Sequence, residues 1–114
     1  MLSIETLQAL GANTQEGLTR CLNKEDFYFK MIRMAMQNDG YDRLAQALEK
    51  QDLTEAFEAA HSLKGVAGNL SLTPLYDALS EITEALRAKE DADYPAMLKA
   101  VMEQKDAFQA LCAD

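Results

Sequence analysis

Apolar residues recur along this chain at steps of three and four for most of its length. The cleanest run is Leu75, Leu79, Ile82 and Leu86, the pattern of a helix that buries one face. The residue before a proline avoids the helical region, so Thr73 is expected at the N-cap, Pro74 at the first position, and a helix over 74–89. Upstream, Asp52 and Glu55 form a capping-box pattern that launches a helix over 53–70. Its apolar stripe reads Ala56, Ala59, Leu63, Val66, Ala67 and Leu70. Downstream, a charged turn ends at Asp93 and Pro95 starts a last helix, with Leu98, Val101, Met102, Phe108 and Leu111 inward.

The first half is more broken. Asn23 with Asp26 opens a helix, and Leu22 and Phe27 stand at hydrophobic-staple positions. Phe27, Met31, Met34 and Ala35 share one face, with Tyr28 and Ile32 beside them. Asn38-Asp39-Gly40 interrupts at the end, and Leu44, Ala47 and Leu48 mark a further helix over about 42–50. The pattern fits one kinked helix or two separate ones. Before these lie two short pieces. One has Ser3 as N-cap, Leu2 and Leu7 as staple, and Gly11 as its stop. The other follows an Asn13/Glu16 capping-box pattern over about 14–21.

Four long amphipathic segments with short connections predict an all-α antiparallel four-helix bundle over 23–113, with the short helices of residues 1–22 capping one end. The 114 residues are expected to form a single domain. Hydrophobic residues make up 48% of the chain, which excludes a disordered one. The six methionines are expected mostly as core filling.

The net charge of −8 comes with no basic stripe. Nucleic acid and anionic membrane surfaces are therefore poor partners. Cys21 and Cys112 lie far apart and are expected as two reduced thiols. The first residues carry no basic segment followed by an apolar one, and no run approaches a membrane span. The cytoplasm is the expected location, and a monomer the expected state, because the apolar stripes can be consumed within one chain.

Candidate chemistry gathers on residues 57–70. His61 is the only histidine. Lys64, Gly65 and Gly68 follow at offsets that share its side of a helix. At about 100° per residue the imidazole points away from the Leu63/Leu70 stripe, toward solvent. Each mid-helix glycine costs about 1 kcal/mol relative to alanine. Close helix crossing explains them poorly, because they lie on the histidine's face. Bare backbone there suits the close approach of another protein. A neutral imidazole nitrogen is a nucleophile that can form covalent intermediates. A phosphoryl product would be anionic, and Lys64 one turn away would stabilise it. No second nucleophile or carboxylate triad accompanies His61, which disfavours a general base.

The run Ala60-His61-Ser62-Leu63-Lys64-Gly65-Val66-Ala67-Gly68-Asn69-Leu70 resembles the signature of histidine-containing phosphotransfer (HPt) domains, His-x-Leu-Lys-Gly with a glycine near the helix end. The resemblance extends over about residues 22–111. It implies a phosphorelay intermediate that carries a phosphoryl group on His61, with Lys64 holding that group and Gly65 and Gly68 keeping the surface open. It implies receiver domains of response regulators and hybrid histidine kinases as partners, which supply the aspartate and Mg²⁺, so no cofactor is expected here. Ser71 departs from the glycine found in many members. A non-glycine residue in a left-handed conformation there costs about 1 kcal/mol. No nucleotide-binding motif is present, so the chain is expected to be a carrier and not a kinase. Leu53, Thr54, Phe57 and Glu58 lie near His61 on the helix and form a candidate docking patch; Phe57 could equally cover a neighbouring helix.

Two other readings remain. Glu58 and His61 have the Glu-x-x-His spacing of di-iron bundles, which would need a symmetric dimer and inward-facing ligands. A bundle that docks receivers without chemistry is the other, and the intact His61–Lys64 pair argues against it.

Overall fold

The computed structural model describes residues 1–113. Seven helices and no strands occur among them. Two short helices lead, α1 (Ile4–Ala9) and α2 (Thr14–Arg20). The bundle is built from α3 (Glu25–Met36), α4 (Gly40–Glu49), α5 (Leu53–Asn69), α6 (Thr73–Arg87) and α7 (Tyr94–Cys112).

Helix α5 packs between α4 and α6. Helix α6 packs on α7, and α7 returns against α3 and α4. So α3 and α4 together form the fourth limb of an antiparallel bundle, as the short connections predict. They are two helices: α3 stops at Met36, and the Gly40 amide donates to the Asn38 side chain at 2.7 Å where α4 begins. Gly40 also lets α4 approach α5, since a Cβ there would stand 2.9 Å from Leu63 Cδ2. Tyr28, Ile32, Leu44, Leu63, Leu75, Leu79, Ile82, Leu86, Val101 and Phe108 fill one continuous core.

Three local expectations shift. Thr73 is already helical and Leu72 is the N-cap, so α6 begins one residue early with Pro74 in its first turn. Asn23 does not cap α3. Leu22 and Asn23 both take positive φ (62° and 58°), and Lys24 is the N-cap without a side-chain bond. The buried face of α3 is turned by about one residue. Tyr28, Ile32, Ala35 and Met36 are inward, while Phe27 and Met34 are 41% and 54% exposed. The reason is Tyr28. Its ring lies over Gly17 of α2, and its hydroxyl donates to the Leu70 carbonyl at 2.8 Å. These two contacts fix the rotation of α3 more strongly than its own apolar pattern does. Of the methionines, Met36 is buried and Met31, Met97 and Met102 pack against the core, while Met1 and Met34 are exposed.

Helices α1 and α2 cap the end of the bundle where α5 turns into α6. Gly11 sits against Pro74, and the Asn13 amide donates to the Ser71 carbonyl at 2.9 Å. Cys21 is buried, which pushes its thiol pKa up. Among the described residues, no helix is long and apolar enough to cross a membrane.

Candidate functional site

Helix α5 starts from Asp52, whose carboxylate accepts the Glu55 amide at 3.1 Å. Glu55 does not close the box; its carboxylate binds Arg43 of α4. Ala56, Ala59, Ala60, Leu63, Ala67 and Leu70 are buried. That leaves His61 on the outer face, exposed as expected. The imidazole stacks on Phe57 one turn earlier, with ring centroids 5.4 Å apart and planes 17° from parallel. Phe57 is itself half-buried against the core, and the Arg87 guanidinium lies 5.0 Å from its ring centre. The histidine thus rests on an aromatic shelf that limits its rotation.

Lys64 lies one turn on. Its side chain is only 22% exposed, because the stem runs along α6. The ammonium stands 4.0 Å from Glu84 and 5.8 Å from the centre of the Tyr76 ring. Glu84 also binds Arg87 at 3.3 Å. Glu84 is exposed and shared between two cations, so at 4.0 Å it holds the Lys64 ammonium loosely.

His61, Lys64, Gly65 and Gly68 line one open groove of about 490 Å³. The two glycines differ, and one expectation needs correcting. A Cβ on Gly65 would meet nothing within 4 Å, so this position is bare surface. A Cβ on Gly68 would stand 3.0 and 3.1 Å from the Tyr76 ring. Close helix approach, set aside for both glycines on the sequence pattern, therefore accounts for Gly68: it admits Tyr76 of α6. Surface clearance as a structural feature belongs to Gly65.

The docking candidates separate as well. Leu53 and Phe57 are half-buried and pack against the core. Thr54 and Glu58 are exposed. Phe57 touches His61, and Glu58 is near enough for its charge to act on Arg43. Because Glu58 and His61 are both exposed, the Glu-x-x-His pair does not face the bundle interior as a di-iron site requires. Among the described residues, no group of three or more His, Cys, Asp or Glu side chains is placed to hold a metal.

The far wall of the groove comes from α2, through Glu16 and Arg20. Sequence patterning missed both as site residues. The sequence pattern places Glu16 in a capping box with Asn13. Asn13 does accept the Glu16 amide at 3.2 Å, but the Glu16 carboxylate accepts instead from Ser71 Oγ at 2.9 Å. Ser71 has the left-handed backbone expected after α5, with φ 55°. Its hydroxyl and carbonyl both tie α2 to the end of α5. That gives a physical reason for serine at a position where glycine would be less strained. The signal available beforehand was this unusual serine alone.

The Hpt domain family model matches residues 34–114, most of the chain. This protein belongs to the Hpt domain family. No curated protein and no solved structure matches it significantly. Membership assigns it a phosphotransfer role in two-component signalling; Hpt domains in general are phosphocarriers without kinase activity that interact with receiver domains. The match takes in the end of α3 and all of α4 to α7, the histidine helix included. It leaves out α1 and α2, and with them Glu16 and Arg20.

Proposed function

We propose that His61 takes a phosphoryl group from the aspartate of a receiver domain and passes it to another, in response regulators and hybrid histidine kinases. The observation that carries this is an exposed imidazole, braced by Phe57, at the edge of an open groove that also holds Lys64. A ring nitrogen attacks phosphorus in line. The N–P bond forms as the P–O bond to the partner's aspartate breaks, and the electron pair leaves with the carboxylate. The ring keeps its proton on the other nitrogen or gives it to water. The reverse step returns the group.

Lys64 sits far enough from Glu84 to exchange it for the phosphoryl oxygens as charge arrives on His61. Gly65 leaves room for the donor. Mg²⁺ belongs to the receiver in this reading, and the chain itself needs no cofactor. Phe57 and Leu53, with exposed Thr54 and Glu58 beside them, form the docking surface next to the site. The protein acts as a cytoplasmic monomer, a reading supported by one continuous core that takes up most of its apolar stripes.

The test is incubation with a panel of phosphorylated receivers. Acid-labile, base-stable phosphate is expected on the wild type and none on His61→Gln. Lys64→Ala should slow transfer by about tenfold, the loss of one charge-assisted contact. Failure of every receiver from the source organism to transfer would overturn the proposal. Binding without labelling would point to a docking bundle.

A further inference from the structure

The phosphorylated histidine would add negative charge to a chain that already carries a net charge of −8. Lys64 is one counter-charge. Arg87 is engaged elsewhere, on Phe57 and Glu84, and does not line the groove. Arg20 does line it, from the last turn of α2.

Its placement is built in layers. The Arg20 Nε lies 3.5 Å from Glu16 Oε1, and that same oxygen accepts the Ser71 hydroxyl at 2.9 Å. Behind this chain the helix is locked. Gly17 lies under the Tyr28 ring, the Tyr28 hydroxyl holds the Leu70 carbonyl, and the Asn13 amide holds the Ser71 carbonyl. The guanidinium therefore hangs from a fixed wall, half-exposed, on a weak pair. A planar fork of donors suits a phosphoryl group better than it suits one oxygen at 3.5 Å.

We propose that Arg20 is a second phosphoryl-binding cation, presented across the groove from Lys64 and positioned by Glu16 and Ser71. This rests on His61 being the acceptor. When the group arrives, Arg20 moves from Glu16 to the phosphoryl oxygens, and Glu16 keeps its bond from Ser71. Because α2 lies outside the family match, this contact is a property of this chain's leading segment.

Phosphoramidate tests it without a partner. Its P–N bond breaks, ammonia leaves with the electron pair, and phosphorus bonds to the His61 ring nitrogen. The pH midpoint of the phosphorylated ring is then followed by ³¹P NMR. A cation near the phosphoryl group disfavours the charged ring, so Arg20→Ala should raise the midpoint, by about half a unit or roughly threefold in proton affinity. Lys64→Ala should move it the same way, and Arg20→Lys should recover part of the shift. Arg20 is exposed, so circular dichroism should show an unchanged fold. Labelled Arg20→Ala titrating like wild type overturns this inference and leaves the acceptor role standing. No label on wild-type His61 overturns both.

Discussion

The groove beside His61 has two walls, and they are held in different ways. Helix α6 follows α5 after only residues 70–72, and its wall residues Thr73 and Tyr76 stand outside the buried stripe Leu75, Leu79, Ile82 and Leu86. Burying that stripe sets which way the wall faces. Helix α2 lies far upstream and is only seven residues long, from Thr14 to Arg20. A helix that short is marginal by itself. It is held by a few specific contacts: Gly17 under Tyr28, Asn13 to Ser71, and Glu16 to Ser71. One wall rests on distributed apolar burial, the other on a handful of polar and steric fits. The second should fail more sharply under single substitutions.

The largest effect is expected at Gly17. A methyl group there has no room beneath the Tyr28 ring. Gly17→Ala should cost about 1–3 kcal/mol, as overpacking does, despite alanine's better helix propensity. Urea unfolding measures this. A variant as stable as wild type would mean that α2 is not held by that contact.

Next comes pH. Burial pushes the Tyr28 phenol up to about 12, with a smaller contribution from Cys21, and burial does the same for Tyr41. Their native pKa values lie above the unfolded ones, so between these values the native state binds more protons. Stability is then fully present below pH 10 and is lost as pH rises toward 12. Denaturation midpoints at pH 9 and pH 11 should show the fall. Tyr28→Phe should lower stability at neutral pH, since the buried Leu70 carbonyl loses its donor, and should flatten part of the alkaline decline. An unchanged alkaline slope in that variant would detach Tyr28 from the effect.

The smallest effect separates the two glycines of α5. Gly65→Ala meets open space and should stabilise by up to about 1 kcal/mol. Gly68→Ala should gain less or lose, because the Tyr76 ring must yield. Equal gains at both positions would erase the distinction drawn from the groove. Gly65→Leu is the functional counterpart: native circular dichroism with slower transfer from a receiver is the expected pair of results.

Much of the bundle was legible because helical periodicity and caps are local properties. The 4-3-4 run of α6, the Asp52 cap of α5 and the outward position of His61 follow from spacing of about 100° per residue. The same logic failed on α3. Phe27 and Tyr28 are adjacent and both aromatic, so the apolar pattern is nearly degenerate under a one-residue turn. A hydroxyl bond to a carbonyl 42 residues away decided which of them went inside. Glu16 misled for a related reason. Its spacing from Asn13 is that of a capping box, but a carboxylate with a nearby hydroxyl from the distant α5–α6 turn has an alternative the sequence does not display.

By itself, then, the sequence determined the helical class, the outward-facing His61 and the lysine one turn away, because all of these depend on residues within a few turns of each other. Tertiary structure decided that α2 walls the site, that Ser71 ties it there, and that Gly65 and Gly68 differ. Those outcomes depend on which side chains from distant segments meet, and contacts of that kind are set by the packing of the whole bundle.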